Sequence, residues 1–256
     1  MPSRPPSAYV RTGLVTAAVL ALYWWAWQGV GFDLARMTGG LPQMGEFLAR
    51  MFPPNVEVAQ TVSAAALETL QIALVGTTLG AVGALPLGFL AAANISPLPV
   101  RMAVRTLLNV IRTIPLVLVA IFFVAAMGLG PLPGTLATAV YSVGMLGKFY
   151  AEAIEAIDPG QVEGVAATGA TPLQVMRFGV LPQVLPLFVA YTLYRLEVNI
   201  REGTVLGLVG AGGIGFYISF YIRSFQYQKV ATVATIILVM VVAIDLLSAW
   251  IRARIT

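Results

Sequence analysis

The sequence predicts an all-α integral membrane protein that crosses the bilayer about six times. Of its 256 residues, 59% are hydrophobic and only 10% are charged, and the mean hydropathy is +0.87. Soluble domains carry about 25% charged residues. A hydrocarbon core of about 30 Å is crossed by about 20 apolar residues, so the chain has room for about five to seven helices and for no separate catalytic domain.

The composition also excludes several kinds of chemistry. The chain contains no cysteine and no histidine, which removes thiol nucleophiles, imidazole acid–base groups, disulfides and the usual zinc ligands. We therefore predict neither an enzyme nor a metal or cofactor site in this chain. The net charge of +4 and the pI near 9.6 do not indicate nucleic-acid binding, because the basic residues are scattered at segment ends and not clustered.

An N-terminal section at 1–62 is predicted to precede a membrane core at 63–256. The apolar run at about 12–31 predicts a first helix, which is not expected to be cleaved because no small-x-small site follows it. Residues 32–62 mix charges with Gly-Gly and Pro-Pro pairs, and they predict an external segment with an interfacial helix at 43–52.

Five further spans are predicted in the core. They lie at about 64–93, 103–127, 135–151, 182–205 and 230–250. Pro115 falls inside the span at 103–127, which is the third of the chain. We expect it to kink the helix and not to end it, because neighbouring helices satisfy the freed carbonyl in a membrane. The sequence GLGPLPG at 128–134 predicts a tight turn.

The distribution of Lys and Arg outside the spans predicts the orientation in the inner (plasma) membrane. With the N-terminus inside, nine of these residues lie on the inner side and four on the outer side, which favours cytoplasmic N- and C-termini. The inner residues are Arg4, Arg11, Arg101, Arg105, Arg112, Lys148, Arg177, Arg252 and Arg254, and the outer residues are Arg36, Arg50, Arg223 and Lys229.

A polar stretch at about 152–182 interrupts the apolar sequence and is placed in the cytoplasm by this orientation. Helix-compatible runs at 161–168 and 172–180 are separated by Gly169, and Thr171 followed by proline is typical of a helix start. Two short packed helices transmit force from a partner because they move as units. A solvated loop explains the residues alone equally well.

The same stretch resembles the EAA signature of ABC importer permeases. Glu163, Gly169 and the Leu181-Pro182 pair stand at the spacing of that signature, while Gly164-Val165 replace two alanines and Gly179 replaces an isoleucine. The resemblance extends over about 64–250 and is closest to phosphonate importer permeases, notably in AIDPGQVEGVAATGATPLQVMRFGVLPQVLP and YTLYRLEVNIREGTVLGLVGAGGIGF. Methionine importer permeases share the RTIP sequence and the GAGGIG run.

This resemblance implies a type I, methionine-permease-like fold and a set of partners. These are a second copy of the chain, two ATP-binding subunits that hold ATP and Mg²⁺, and an external substrate-binding protein. The implied coupling helix consists of Glu163, Gly164, Val165, Ala166, Ala167, Thr168, Gly169, Ala170, Thr171 and Pro172. A separate ATPase agrees with the sequence, because the nearest approach to a phosphate-binding loop, Gly144–Lys148, is too short and is followed by Phe149.

The glycines in GLVGAGGIG allow three interpretations. Gly210, Gly212 and Gly215 satisfy the dinucleotide-binding pattern G-x-G-x-x-G, but no strand is predicted before them and no acidic residue follows at about 20 positions. Small residues also permit close packing of membrane helices, and glycines form flexible turns. Close packing and an external gate that includes Gly213 both remain open.

Four charges in the fifth span require a polar environment, because a charge at the bilayer centre costs at least about 2.5–3.5 kcal/mol. Arg195 and Glu202 nearly share a helical face, and Glu197 and Arg201 stand at i and i+4. They form either an ion-pair network or a pathway in which at least one arginine guides an oxyanion. Arg112 is either a topology anchor or an aid to substrate release.

The sequence therefore predicts an ABC importer permease subunit for phosphonate or a related phosphorus oxyanion such as phosphate or phosphite. A permease for methionine or another small solute is the nearest alternative. An ion-coupled secondary transporter requires a carboxylate deep in the bundle, for which Glu197 and Glu202 are the candidates. A structural or receptor-like membrane protein would transport nothing.

Overall fold

The computed structural model describes the backbone of residues 6–255 and the side chains of residues 11–254. Contacts divide these residues into two units, with the boundary between Arg50 and Met51. The helices are α1 Pro6–Val30, α2 Leu34–Met51, α3 Ala59–Ala91, α4 Leu98–Thr113, α5 Leu116–Met127, α6 Pro131–Glu155, α7 Pro159–Ala167, α8 Pro172–Val175, α9 Leu181–Leu206, α10 Gly215–Arg223 and α11 Tyr227–Ile255.

The N-terminal unit consists of α1 and nearly all of α2. Helix α1 contains the apolar run predicted at 12–31, and α2 begins about two turns before the interfacial helix predicted at 43–52. The start of α2 is fixed by Asp33, whose carboxylate accepts a hydrogen bond from Ala35 N–H at 2.8 Å. This capping by a side-chain oxygen satisfies a donor that the first helical turn leaves free.

Helices α3 and α6 run parallel and in direct contact along the centre of the second unit. Glycines on α3 face α6 with a constant spacing: a methyl group on Gly80 would lie 2.5 Å from Ser142 Cβ, and one on Gly88 would lie 2.7 Å from Tyr150 Cβ. The backbones therefore approach closely at small residues, as is usual where two apolar helices pack within a membrane.

The third predicted span is wrong in one respect, because Pro115 ends a helix. Helices α4 and α5 meet at Ile114 and Pro115 with an angle of 84° between them. Ile114 is extended, with φ −80° and ψ 121°, a conformation that agrees with the steric preference of a residue before proline. Two separate helices thus replace the kinked helix predicted at 103–127.

Four described helices, α1, α3, α9 and α11, are long and apolar enough to cross a membrane, and the bent α4–α5 pair raises the number to five. Helix α6 covers the predicted span 135–151 and is about 37 Å long. Its mean hydropathy is lower than that of the four candidate spans, because its buried positions include glycine, serine and threonine. These small residues are favoured where a helix contacts other helices on several sides.

Candidate coupling and transport sites

The predicted cytoplasmic stretch folds into two short helices that meet at a left-handed turn. Asp158 caps α7 by accepting a hydrogen bond from Gly160 N–H at 2.9 Å. Gly169 has φ +79°, a conformation that glycine adopts without steric cost. Thr171 and Gln174 then form the capping box of α8. The predicted short helices are confirmed, although a π-helical turn at Met176–Val180 replaces the end of the second one.

The residues predicted for the coupling helix present a continuous surface to solvent. Val165 and Ala170 are partly buried, and the others are exposed, namely Glu163, Gly164, Ala166, Ala167, Thr168, Gly169, Thr171 and Pro172. A groove of about 730 Å³ lies between α7 and α8. Leu173 and Phe178 flank this surface with exposed apolar side chains. A large exposed apolar patch is typical of a protein interface.

The surface formed by residues 163–172 is called the coupling surface here, after its predicted role. One side chain joins it to the start of α9. Asp158 N–H donates to Gln183 Oε1 at 2.9 Å, and Gln183 Nε2 donates to the carbonyl of Gly179 at 2.6 Å. A methyl group on Gly179 would lie 3.3 Å from Val162 Cα. The glycine that replaces the usual isoleucine therefore lets α7 pack directly against the π-helical turn.

Below the coupling surface, the apolar core continues into α3, α6 and α9. Its buried residues are Ala84, Ala92, Leu146, Tyr150, Ala153, Ile154, Val180, Val184 and Phe188, with Val162 and Met176 packed against them. The Tyr150 ring stacks on Phe188 with centroids 4.2 Å apart, and its hydroxyl is 2.6 Å from Thr192 Oγ1. Close-packed interiors transmit displacement, so this cluster connects α7 with the membrane helices.

A buried arginine joins α9 to α6 inside the bundle. The Arg195 side chain is 1% exposed and donates to Ser142 Oγ at 3.2 Å and to Glu202 Oε2 at 2.9 Å. Its guanidinium carbon lies 4.8 Å from the centroid of the Tyr141 ring. The predicted common face of Arg195 and Glu202 is confirmed by this ion pair.

Asn199 extends the same polar cluster to α3. Its amide nitrogen donates to Thr77 Oγ1 at 2.7 Å and to Ser142 Oγ at 2.9 Å. Ser142 therefore accepts from both Arg195 and Asn199. The Asn199 side-chain oxygen is buried and has no hydrogen-bond partner among the described residues. The bonds that are made favour one arrangement of the helices, because breaking one of them leaves a further buried group unpaired.

The other two charges of α9 pair with α11. Arg252 Nη1 lies 2.7 Å from Glu197 Oε1, whose side chain is 8% exposed. Arg201 Nη2 donates to both oxygens of Asp245, at 2.9 and 3.0 Å. The order of these pairs makes the two helices antiparallel. The expected neighbours Glu197 and Arg201 thus find partners on another helix, because α11 packs along this face of α9.

The glycine-rich segment after α9 is held by two side chains of α3. Glu68 Oε1 accepts from Gly213 N–H at 2.9 Å, and Thr69 Oγ1 accepts from Ile214 N–H at 2.8 Å. Gly210, Gly212 and Gly213 have φ between +81° and +84°. The segment lies between helices, and no strand precedes it within residues 6–255, so a dinucleotide-binding fold is not formed.

The comparison with protein families identifies the chain. The model described as "Binding-protein-dependent transport system inner membrane component" matches residues 84–256. The chain belongs to this family. It is the transmembrane permease subunit of an ABC importer.

Two curated relatives of the permease are similar over about nine tenths of its length, and a third over about half. The phosphite transport system permease PtxC of Stutzerimonas stutzeri is 41% identical over 244 residues, which are 94% of this chain and 87% of that protein. The phosphate-import permease PhnE of Mycolicibacterium smegmatis is 41% identical over 89% of this chain and 43% of its own length. A putative cryptic phosphonate transport permease of Escherichia coli, PhnE2, is 49% identical over 46% of this chain and 96% of its own length.

Solved structures confirm the predicted fold. A chain of the MetNI methionine ABC transporter, in an inward-facing form, superposes with a TM-score of 0.71 and covers 79% of the permease and 99% of that chain. The sequence identity is 24%. At that identity the likeness is one of fold, the methionine-permease-like type I arrangement.

In the permease, the structure separates the predicted pathway residues into two groups. Arg195 and Glu197 are buried in ion pairs, whereas the Arg201 side chain is 52% exposed. Arg112 is also exposed, at the end of α4, where its Cγ packs against Gly144 of α6. Among the predicted pathway residues, Arg201 and Arg112 are therefore the two with exposed donors.

Sequence reasoning missed the contact between α3 and the glycine segment. Glu68 and Gly213 are 145 positions apart, so no local pattern predicts that they meet. A methyl group on Gly213 would lie 2.6 Å from Thr69 Oγ1, and one on Gly215 would overlap the Thr204 carbonyl. Close packing thus explains part of this glycine run. A cavity of about 820 Å³ opens beside it and is lined by Glu68 and Arg223, among others.

Proposed function

We propose that the permease moves phosphite, phosphonate or a related phosphorus oxyanion into the cell. It does so as a homodimer with two ATP-binding subunits and an external substrate-binding protein. The relatives with 41% identity over about nine tenths of this chain are named for phosphite and phosphate transport, whereas the methionine and choline permeases among its relatives reach only 26% and 25%.

The observation that carries the substrate class is the position of Arg201. It is a half-exposed guanidinium within the apolar candidate span Pro172–Val209. A cation at that depth is unfavourable against lipid, but it is favourable beside a path used by anions. Guanidinium donors match the oxygens of a phosphorus oxyanion.

Arg195 has a different role in this proposal. Its three nitrogens already contact Ser142, Met145 and Glu202, and its side chain is 1% exposed, so it is not accessible to a passing anion. We assign Arg195 to the framework of the pathway. Arg112 receives the anion nearer the inner side, because it is exposed at the end of α4.

Energy enters through the coupling surface on α7 and the turn at Gly169. The ATP-binding subunit has to bind this surface with different affinity in the two states of the membrane helices. Equal affinities would leave the populations of the two states unchanged. The Gln183 bonds and the apolar core under α7 then carry the movement into α3, α6 and α9. ATP and Mg²⁺ are bound by the partner, and this chain supplies the path.

The test is ATP turnover by the purified complex of permease, ATP-binding subunits and binding protein in proteoliposomes. We expect phosphite, phosphate or methylphosphonate to stimulate turnover and to accumulate inside, and methionine to do neither. Stimulation by methionine alone would contradict the proposal. Uptake that continues after ATP is depleted would instead support an ion-coupled transporter.

The proposed orientation has its own test. Because the chain contains no cysteine, a single Thr168→Cys substitution gives one thiol in the coupling turn and Phe225→Cys gives one on the opposite side. In intact cells a membrane-impermeant maleimide should label Cys at 225 but not at 168. Labelling of position 168 from outside would reverse the proposed topology.

A further inference from the structure

The Arg201–Asp245 pair lies at the surface of the chain and within the predicted depth of the membrane. Asp245 stands 18 residues after the start of α11 and 10 residues before its end, between the apolar runs VATIILVMVVAI and LLSAWI. The two side chains are 52% and 42% exposed. Since lipid does not solvate an ion pair, this surface faces water or a second protein surface.

The neighbouring pair on the same two helices behaves differently. Glu197 and Arg252 lie about one helical turn further toward the inner side by the sequence of α9, and their side chains are only 8% and 33% exposed. If ion pairs between α9 and α11 only held these two helices together, the buried pair of Glu197 and Arg252 would be sufficient. The exposed position of the second pair therefore calls for another explanation.

The geometry of the pair leaves part of the guanidinium available. Both Asp245 oxygens accept from one nitrogen, Nη2 of Arg201. Within the described part of the chain, Nε and Nη1 of Arg201 make no hydrogen bond. An arginine has five N–H donors in a planar fork, so Nε–H and the two Nη1–H groups of Arg201 remain free to bind a second anion.

We propose that Asp245 is a built-in competitor for the transported oxyanion at Arg201, an inference that rests on the proposed function. The carboxylate neutralises Arg201 while the path is empty. An arriving oxyanion accepts a hydrogen bond from the free Nη1 and competes with Asp245 for Nη2, with which Nη1 shares an edge of the guanidinium. When the anion moves on, the carboxylate returns to Arg201.

This competition solves a requirement of every transport pathway. A site must attract the anion and yet release it, so binding must be favourable but weak. An unpaired arginine would hold a phosphorus oxyanion too tightly, because charge-assisted hydrogen bonds are stronger than bonds between neutral groups. Asp245 lowers that affinity without removing the positive charge that selects anions. It is thus a positioning and affinity-setting residue.

The experiment measures binding and transport separately. Asp245→Asn preserves the shape of the side chain and removes its charge. In the complete transporter without binding protein, equilibrium binding of labelled inorganic phosphite should become about tenfold tighter. Maximal uptake in the presence of ATP and binding protein should fall several-fold, because release becomes slow. Glu46→Gln, which removes an acid from the exposed pair with Arg50 in the N-terminal unit, should resemble the parent in both assays.

A neutral pair decides whether the residues only hold the helices together. The double variant Arg201→Met with Asp245→Leu keeps the volume and removes both charges, and such replacements often preserve stability. We expect it to assemble with the ATP-binding subunits but neither to bind nor to transport phosphite. Uptake at the parental rate by the double variant would overturn the inference, and so would equal phosphite affinity of Asp245→Asn and the parent.

Different results would contradict the proposed function and the competition between Asp245 and the oxyanion at Arg201. If the parent complex transports no phosphorus oxyanion, the proposed function fails, and the inference fails with it. If the parent transports phosphite while Asp245→Asn binds phosphite no more tightly, only the competition at Arg201 is wrong. Assembly of each variant is checked by co-purification of the ATP-binding subunits.

Discussion

The backbone N–H of Asp158 donates to the side chain of Gln183 across 2.9 Å, which joins the start of α7, the predicted coupling helix, to the first turn of α9. The side-chain amide of Gln183 in turn donates, through Nε2, to the carbonyl of Gly179 at 2.6 Å. Helix α7, the π-helical turn and α9 are therefore joined where they meet. We expect a displacement of α7 to move the membrane helices through the hydrogen bonds of Gln183 and through the apolar core that packs against α7.

Replacing Gln183 by leucine should weaken this connection. The variant keeps a similar volume but loses both hydrogen bonds, each worth about 1 kcal/mol. We expect the complex to assemble and to hydrolyse ATP while the amount of substrate moved per ATP falls several-fold. The ratio of uptake to ATP turnover in proteoliposomes measures this. An unchanged ratio would show that the apolar core alone provides the coupling.

Gly169→Ala should disturb the docking surface. At φ +79° a side chain costs about 1–2 kcal/mol in the left-handed conformation, so the turn between α7 and α8 will shift. We expect weaker binding of the ATP-binding subunits, measured by co-purification at increasing salt, together with reduced uptake. Gly45→Ala is the matched control, because Gly45 lies inside α2 with open space around it; equal losses in both variants would contradict the assignment.

Arg195→Met should destabilise the protein and not merely stop transport. It leaves Glu202, which is 34% exposed, without its buried partner and removes one of the two donors to Ser142. Because solvent screens the exposed part of Glu202, the loss should be smaller than the about 3–5 kcal/mol of a fully buried pair. The thermal stability of the purified complex should fall sharply. The double variant Arg195→Met with Glu202→Leu should recover much of it. A fully stable Arg195→Met that cannot transport would instead place Arg195 directly in the pathway.

The contact between Glu68 and Gly213 predicts a pair of variants with different outcomes. Glu68→Gln retains an oxygen that accepts from Gly213 N–H, whereas Glu68→Ala leaves that donor unpaired at a cost of about 1–3 kcal/mol. We expect near-parental behaviour of the glutamine variant. The alanine variant should hydrolyse ATP faster in the absence of binding protein, because the glycine segment is no longer held. Identical basal turnover in the two variants would show that Glu68 does not hold a gate.

Local sequence patterns were sufficient for much of the fold. The long apolar runs predicted the membrane helices, because hydropathy depends only on neighbouring residues in the chain. Gly169 and the Thr171-Pro172 pair predicted the two short helices of the coupling segment, since left-handed glycine and capping threonine act within a few residues. The spacing of Arg195 and Glu202 predicted their common face for the same reason.

Other features depended on tertiary packing. The break at Pro115 came from a local rule, but whether α4 and α5 stay aligned depends on the helices around them. The mean hydropathy of α6 is lower than that of the four candidate spans, and only the tertiary structure shows that α3 and α9 cover its small residues. The partners of Glu197, Arg201 and Gly213 lie between 44 and 145 positions away.

The sequence by itself therefore determined the membrane class, the order of the helices and the chemistry of the coupling segment. Only the tertiary structure decided which charges of α9 are buried and which reach the surface. The physical reason is that a charge on a helix can face any neighbour, and the packing of α6 and α11 against α9 decides which one. That choice buries Arg195 and leaves Arg201, paired with Asp245, half-exposed.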